Sequence, residues 1–170
     1  MVRNLTIGCL VGFFLLLSYP AFSTEGIRIP ITTDLQKDGR LSIQRKLPIL
    51  LMVSQDHCPF CDLMKQEILH PMLLSGEYEE KVIMREILID LGQDVTNFEG
   101  KREDAAHFAH GYDVHLSPTL LFLNGEGSEV RKRMIGINTV ELFSFYLDAA
   151  IDEALAELKP RETAKSAVQP

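Results

Sequence analysis

Apolar residues form two kinds of pattern along this chain, and the two kinds alternate. Residues 48–53 (PILLMV) are a continuous apolar run of strand length, which is typical of a strand covered on both faces. From Cys58 onward, apolar residues instead recur every three or four positions, which is helical spacing. This alternation of strand and helix patterns predicts an α/β fold. The helical stripe consists of Cys61, Met64, Ile68 and Met72.

The segment after the first strand predicts four further features. Pro71 falls inside the helical pattern, where proline removes a hydrogen-bond donor, so the helix should kink or end there. Residues 82–89 have the pattern of the next strand. Residues 91–100 have the composition of a loop, and residues 102–110 predict a short helix.

The second half of the chain predicts a hairpin and a long final helix. Residues 119–123 and 130–135 flank residues 124–127 (NGEG), whose two glycines suit a hairpin turn. The last helix is expected to start near Asn138, with Glu141 three residues later in the capping-box position. With one more strand or helix near the N-terminus, these elements give a mixed sheet with helices on both faces.

The N-terminal residues have the features of a secretory signal. Arg3 supplies a positive charge, and residues 5–17 form an apolar run that is short for a membrane span. Small residues at Ala21 and Ser23 predict cleavage after Ser23. We therefore expect a signal peptide at residues 1–23 and export to the periplasm, with an uncleaved membrane anchor as the alternative.

Removal of a signal peptide would change the number of cysteines in the mature protein. The chain has 170 residues and three cysteines, and Cys9 would leave with the signal, so that one pair remains. The length suits a single domain at residues 24–159, followed by a flexible tail at 160–170. Disulfides persist outside the cytosol, which makes the remaining pair relevant to redox chemistry.

The charge balance excludes one class of partner. The chain has 17 basic and 24 acidic residues, for a net charge of -7. Nucleic-acid binding depends largely on neutralising phosphates with lysine and arginine. We therefore expect no nucleic-acid partner.

The segment Cys58-Pro59-Phe60-Cys61 lies between the first strand and its helix. Pro59 suits the first helical position, where its missing N–H costs nothing. Cys58 then lies at the helix N-terminus, where free N–H groups and the helix dipole stabilise a thiolate. Cys61 follows one turn later on the same face, within reach of a disulfide. This predicts Cys58 as the nucleophile of thiol–disulfide exchange and Cys61 as the resolving thiol.

Other uses of the cysteine pair stay open. A structural disulfide would close so small a loop that it would constrain the unfolded chain little. Copper or zinc binding would need further ligands, for which His107, His110 and His115 are the candidates, although they also suit solvated positions. We expect no metal and no cofactor beyond the redox-active disulfide itself.

A second feature lies at Ser117-Pro118-Thr119, directly before the apolar strand at 119–123. Pro118 can occupy the strand entrance without breaking a hydrogen-bond ladder. A cis Ser117–Pro118 bond is a hypothesis at this point, because only a minority of such bonds are cis.

These motifs resemble the thioredoxin superfamily over about residues 40–158. The CPFC sequence is close to the CPYC of glutaredoxins and the CPHC of periplasmic disulfide oxidases, and Ser117-Pro118-Thr119 precedes a hairpin and final helix. The chain looks most like the SoxW-like branch of periplasmic thioredoxins. The resemblance implies a thioredoxin fold, in which a cis-proline loop faces the N-terminus of the CxxC helix.

The resemblance also implies roles for the residues around the cysteines. Pro118 would be the cis-proline that faces the disulfide, and Ser117 would offer backbone hydrogen bonds to an extended substrate. Pro59, Phe60 and His57 would support the active site.

Two positions depart from the family pattern. His57 stands where thioredoxin has a tryptophan, and Met52 replaces the buried acid that accepts the proton of the resolving thiol. Water, or Asp56 if its side chain turns inward, is the candidate substitute. His57 either favours the Cys58 thiolate when protonated or is an exposed histidine with no catalytic part.

The resemblance therefore implies an exported thiol–disulfide oxidoreductase that reduces or exchanges disulfides of client proteins. A membrane thiol donor would recharge it. The 56 residues between Cys61 and Pro118 are too few for the helical domain of strong disulfide oxidases, which favours reduction. Residues 24–47 are too few for a dimerisation domain, which favours a monomer. A disulfide-forming oxidant of the same fold and a copper or zinc chaperone are the alternatives.

Overall fold

The computed structural model describes residues 28–159. The expected signal peptide at 1–23, with Cys9, and the expected tail at 160–170 lie outside the described residues. Within the described part, no helix is both long and apolar enough to cross a bilayer. In chain order the elements are α1 (Leu35–Arg45), β1 (Ile49–Ser54), α2 (Pro59–Met64), a π-helical segment (Lys65–Leu69), α3 (His70–Ser75), β2 (Ile83–Leu88), β3 (Asp94–Thr96), β4 (Arg102–Asp104), α4 (Ala105–Gly111), β5 (Thr119–Leu123), β6 (Glu129–Ile135) and α5 (Val140–Leu158).

Four strands form one mixed sheet in the order β2-β1-β5-β6. β1 is parallel to β2 and antiparallel to β5, and β5 is antiparallel to β6. The parallel pair is connected through α2 and α3, whereas β5 and β6 are joined by a short turn. The strands predicted at 48–53, 82–89, 119–123 and 130–135 are confirmed, and so is the mixed sheet.

Each central strand contributes to two cores, because successive side chains of a strand point to opposite faces. On one face, Met52 and Phe122 belong to a buried cluster that includes residues of α2, the π-helical segment and α5. On the other face, Leu51 and Leu121 belong to a cluster with residues of α1 and α4. Helices therefore cover both faces of the sheet, as predicted.

Residues 30–32 run along the outer edge of β2. The Thr32 N–H donates to the Glu86 carbonyl at 2.9 Å, and the Glu86 N–H donates to the Pro30 carbonyl at 3.0 Å. α1 follows, with Asp34 as its N-cap. The N-terminal part of the described chain thus protects a sheet edge and supplies the extra helix that the sequence left open.

The helix after β1 continues past Pro71 by way of the π-helical segment Lys65–Leu69. The His70 N–H donates to the Lys65 carbonyl, five residues back instead of four. Pro71, which has no N–H and crowds the carbonyl one turn back, follows immediately. The irregularity expected at Pro71 therefore takes the form of a π turn, after which α3 continues.

A two-stranded hairpin lies where the sequence predicts a loop. β3 and β4 pair antiparallel, within the expected loop at 91–100 and the start of the expected helix at 102–110. Val95 is the buried residue of the two strands, which are too short and polar to show an alternating pattern. α4 begins later, at Ala105, because the Asp104 side chain accepts two N–H groups of its first turn.

The final helix also begins later than expected. α5 starts at Val140 instead of near Asn138, with Thr139 as its N-cap and no capping bond from that side chain. The capping box expected with Glu141 is therefore not formed. The helix is anchored instead by its buried apolar face, which includes Phe143.

Candidate active site

Two loops meet at one end of the sheet. Val53 pairs with Thr119 in the antiparallel register of β1 and β5, so the end of β1 lies beside the start of β5. Cys58 follows β1 after a short loop, and Pro118 immediately precedes Thr119. The register therefore brings the CPFC segment and the Ser117–Pro118 loop to the same edge.

Cys58 caps the N-terminus of α2 through its sulfur. The Cys58 Sγ accepts a hydrogen bond from the backbone N–H of Cys61 at 3.2 Å. Pro59 occupies the first turn of the helix, where no N–H of its own is needed. The donated N–H and the positive end of the helix dipole both stabilise negative charge on this sulfur.

The two cysteines differ in exposure although they are joined by a disulfide. Their Cα atoms are 5.2 Å apart, within the ordinary range for a disulfide. Cys61 is completely buried, whereas Cys58 is only partly buried. A thiol or disulfide arriving from solvent therefore reaches the sulfur of Cys58 and not that of Cys61.

The Ser117–Pro118 loop presents free backbone groups. The Ser117–Pro118 peptide bond is cis. The Pro118 carbonyl accepts from the Gly136 N–H at 2.8 Å, and the Thr119 hydroxyl donates to the Leu116 carbonyl at 2.7 Å, so the loop is fixed on both sides. Within residues 28–159, the N–H and C=O of Ser117 itself make no hydrogen bond. Both groups can therefore bind an extended segment.

Apolar side chains border both loops. Phe60, inside the CPFC segment, is 61% exposed, and Leu116, beside the cis-proline, is 65% exposed. Large exposed apolar side chains near a reactive group are typical of binding surfaces. The rim of the disulfide therefore suits an apolar stretch of a polypeptide.

His57 and Asp56 face solvent. His57 has a left-handed φ of 53° and a side chain that is 94% exposed, and its Nε2 lies 3.3 Å from the Asp56 carboxylate. The Asp56 side chain is itself 49% exposed. Asp56, the sequence candidate for accepting the proton of the resolving thiol, is therefore turned outward and paired with His57.

The three histidines considered as metal ligands lie at the surface of α4 and the loop after it. His107 pairs with Glu103 across 3.6 Å, and His115 pairs with Asp113 across 2.7 Å. The rings of His110 and His115 have centroids 5.6 Å apart. In the part of the chain that the structure describes, no group of three or more His, Cys, Asp or Glu side chains is placed to hold a metal ion.

Sequence reasoning misses a buried carboxylate beside Met52. Glu86 on β2 is only 4% exposed, and the strand register pairs it with Met52. Its Oε1 accepts a hydrogen bond from the Ser54 hydroxyl at 2.5 Å and lies 3.3 Å from the Lys65 ammonium. The sequence does contain one indication of this cluster, which is an acidic residue inside the apolar strand predicted at 82–89. A charge buried in such a strand needs polar partners.

Comparisons with known proteins agree with this geometry. A family model described as a thioredoxin-like domain matches residues 35–151. No curated protein matches the chain. Among solved structures, a poplar thioredoxin h mutant has a TM-score of 0.54 at 16% identity, covering 79% of this chain and 92% of that chain. The oxidised mitochondrial thioredoxin 3 from Saccharomyces cerevisiae has a TM-score of 0.50 at 18% identity, covering 74% of this chain and 94% of that chain. At these identities the likeness concerns the fold alone.

Proposed function

Because the chain belongs to the thioredoxin-like domain family, we propose that it is an exported enzyme that reduces disulfides of client proteins. The family and the cysteine pair together show that the protein is a thiol–disulfide oxidoreductase of the thioredoxin fold, with a disulfide between Cys58 and Cys61. The proposal adds the compartment, the direction of electron flow and the role of each active-site residue.

The contrast between the two sulfurs carries the proposal. The Cys58 sulfur is partly exposed and receives the Cys61 N–H at 3.2 Å, whereas the Cys61 side chain is completely buried. A thiolate at Cys58 is therefore both stabilised and accessible, as a nucleophile must be. Cys61 has access to the Cys58 sulfur alone, as a resolving thiol must have.

The proposed reaction transfers two electrons from the reduced cysteine pair to a client disulfide. The Cys58 thiolate attacks one client sulfur, a bond forms between them, and the other client sulfur leaves as a thiolate. The Cys61 thiolate then attacks Cys58. This step forms the Cys58–Cys61 disulfide, breaks the mixed disulfide and releases the second client sulfur as a thiolate. Each released thiolate takes up a proton, and the enzyme is left oxidised.

The surface around Cys58 suits a polypeptide substrate. The free N–H and C=O of Ser117 would pair with an extended client segment, as one strand added at the sheet end. Phe60 and Leu116 would contact apolar client side chains on either side of the disulfide. Pro118 would face the sulfurs, and Pro59 would start the helix that supports Cys58.

The segment between the cysteines and the cis-proline supports reduction over oxidation. Between α2 and Pro118 lie the rest of the interrupted helix, β2, the small β3–β4 hairpin and the seven residues of α4. Nothing in this part of the described chain resembles an inserted helical domain. We therefore propose a reductant of the SoxW-like type, acting as a monomer and recharged by a membrane thiol donor. Residues 1–23 would direct it to the periplasm.

Turnover of a protein disulfide tests the activity. With dithiothreitol as electron source, the protein is expected to accelerate the reduction of insulin disulfides, because Cys58 reacts faster than a small thiol. Cys58→Ser should abolish this acceleration. Persistence of the acceleration in Cys58→Ser, or its absence in the unaltered protein, would overturn the proposal.

If the protein is instead a copper or zinc chaperone, the same assay should give a different result. A thiol–disulfide reductant keeps its activity when a chelator is present, since no metal takes part in the exchange. Stoichiometric copper or zinc held by the reduced protein, with no acceleration of insulin reduction in the presence or absence of a chelator, would favour the chaperone.

The redox state in cells tests direction and compartment together. Fractionation followed by thiol alkylation is expected to find the protein in the periplasm, largely as the dithiol, because a membrane donor keeps it reduced. A periplasmic protein held as the disulfide would favour the disulfide-forming oxidant, and a cytoplasmic protein would contradict export.

A further inference from the structure

Residues 28–159 contain two buried carboxylates, Asp38 and Glu86, each with a hydroxyl and a cation as partners. Asp38 is bonded to Thr32 and Arg85. Glu86 is only 4% exposed, and its Oε1 lies 2.5 Å from the Ser54 hydroxyl oxygen and 3.3 Å from the Lys65 ammonium. Because Arg85 and Glu86 are neighbours on β2, their side chains point to opposite faces of the sheet.

Glu86 lies on the sheet face that Cys61 packs against. The register pairs Glu86 with Met52, and paired residues on neighbouring strands point to the same face. Met52 and Cys61 belong to one buried cluster on that face. Lys65, one helical turn after Cys61, reaches down to Glu86. The Glu86 carboxylate therefore lies below the helical turn that begins at the buried thiol.

A polar cleft extends from Glu86 to residues that flank the CPFC segment, including Asp62 directly after it. The cleft has a volume of about 450 Å³, and its walls include Glu86, Lys65, Asp56 and His57. A space of this size and polarity has room for several water molecules. Neither cysteine lines the cleft, so its water can exchange protons between the Glu86 carboxylate and solvent.

The proposed exchange needs a proton acceptor near Cys61, because the thiolate and not the thiol is the attacking species. Cys61 is completely buried, and Asp56 is turned outward. We propose that Glu86, positioned by Lys65, accepts the proton of Cys61, which packs on the same face of the sheet, and releases it to the cleft. This inference rests on the proposed function.

Other charged and titratable groups face Glu86 across the cleft. The Lys65 ammonium also lies 3.2 Å from the Asp62 carboxylate. Burial, followed by Lys65, lowers the pKa of His70, whereas Glu86 acts to raise it, so His70 is mainly neutral at pH 7. Arg28 forms part of the cleft wall. Glu86 thus faces two basic side chains and a mainly neutral imidazole.

The Cys61 thiol passes its proton to the Glu86 carboxylate on the same face of the sheet. The resulting thiolate attacks the Cys58 sulfur, the Cys58–Cys61 bond forms, and the bond from Cys58 to the client breaks. The electron pair leaves with the client sulfur, and the proton held at Glu86 returns through the cleft to that thiolate or to solvent.

The aromatic disulfide dithiobis(nitrobenzoate) allows the reaction of Cys58 and the later reaction of Cys61 to be measured separately. Full-length protein carrying Cys9→Ser is reduced and mixed with an excess of the reagent in a stopped-flow instrument. Attack by Cys58 releases a first coloured thiolate at a rate proportional to reagent concentration. Attack by Cys61 on the resulting mixed disulfide releases a second coloured thiolate at a rate that does not depend on reagent concentration.

Glu86→Gln is expected to slow the second release about tenfold or more at neutral pH. The remaining rate should rise in proportion to hydroxide concentration, whereas the unaltered protein should vary much less with pH. The first release should be unchanged, because it reports Cys58 alone. A change in pH dependence is a readout that a purely structural role of Glu86 would not produce.

Asp38→Asn is the matched control, because it neutralises a buried, ion-paired carboxylate on the opposite face. It is expected to leave both releases and their pH dependence unchanged. His70→Gln should likewise preserve the pH profile. A slow, hydroxide-dependent second release in either control would overturn the assignment to Glu86.

A charge-neutral double variant keeps the test valid if the single variant does not fold. Glu86→Gln with Lys65→Gln removes both charges together, which is better tolerated than leaving one buried charge alone. It should show the same slow second release. An unchanged rate and pH profile in a folded variant would overturn the role of Glu86. Absence of the first release in the unaltered protein would instead overturn the proposed function.

Discussion

Cys58 and Cys61 are the same residue type in two different environments. The Cys58 sulfur is partly exposed and accepts a backbone hydrogen bond at a helix start, whereas Cys61 is buried in the same apolar cluster as Met52. Substitution of Cys58 should therefore stop the reaction before any bond to a client forms. Substitution of Cys61 should stop it after that bond has formed.

Tyr112 is a second residue with a distinct structural role, because it fixes the chain between α4 and the active-site loop. Its hydroxyl donates to the Gly127 carbonyl at 2.7 Å, and its ring lies 5.1 Å from that of Phe108. Gly127 has a φ of +85°, and a Cβ there would lie 2.5 Å from the Phe98 ring, so the turn that receives Tyr112 requires glycine.

The phenol of Tyr112 predicts a pH dependence of stability. Burial, assisted by Glu129 and Glu103, raises the pKa of Tyr112 from 10.0 to about 12. Between these pH values the unfolded chain has lost a proton that the folded protein keeps, so the free energy of unfolding falls as pH rises. Below this window the contribution is complete. Tyr112→Phe should flatten that fall, while losing about 1 kcal/mol of stability at neutral pH with the hydrogen bond.

Urea unfolding at a series of alkaline pH values measures this effect. Burial, together with a hydrogen bond to Asp148, also raises the pKa of Tyr78, so Tyr78→Phe is the companion variant and should remove a separate part of the slope. Identical slopes for the unaltered protein and Tyr112→Phe would show that the phenol does not contribute.

At the scale of secondary structure, two helix starts offer a matched comparison. The Asp104 side chain accepts two N–H groups at the start of α4, whereas the Thr139 side chain makes no capping bond at the start of α5. Asp104→Ala should therefore lower the free energy of unfolding by about 1 kcal/mol, and Thr139→Ala should change it much less. Chemical denaturation of both variants checks this difference. Equal losses in the two variants would contradict the assignment of extra stability to the two capping bonds of Asp104.

Long or strongly patterned elements could be predicted from the sequence. The apolar runs at 48–53 and 119–123 are buried strands, and the NGEG segment at 124–127 is a hairpin turn, because length and turn residues are local signals. The helix start at Pro59 follows from proline chemistry in the same way.

Features that depend on tertiary packing could not be predicted. β3 and β4 have three residues each, too few for a pattern, and exist because they pair with one another. The start of α5 follows its buried apolar face and not a capping box at Asn138 and Glu141. Glu86 meets Met52 and Lys65 only through the strand register and the helix position, neither of which a single sequence contains.

For the molecule as a whole, we expect the fold to persist when the disulfide is reduced. Two buried clusters, one on each face of the sheet, stabilise the domain. The disulfide closes a loop of only a few residues, and such a loop contributes about 2 kcal/mol by chain entropy. Truncating one central side chain, as in Leu121→Ala, should cost as much or more, about 2–5 kcal/mol.

Thermal unfolding followed by circular dichroism compares the oxidised and reduced protein. The reduced protein is expected to remain folded at room temperature and to unfold cooperatively at a somewhat lower temperature. Loss of the folded spectrum on reduction alone would assign the cysteine pair a structural role instead of a chemical one.

Trapping the mixed disulfide shows which cysteine attacks a client. Reduced Cys61→Ser protein is mixed with a disulfide-bonded peptide, quenched with acid, digested without reductant and analysed by mass spectrometry. Because Cys58 attacks and the hydroxyl that replaces the second thiol cannot resolve the adduct, we expect a stable product in which half of the peptide is bonded to Cys58. None should form in Cys58→Ser, with Cys9→Ser present in both proteins. Folded Cys61→Ser protein that forms no adduct at Cys58, or forms the same amount elsewhere in the chain, would contradict attack by Cys58.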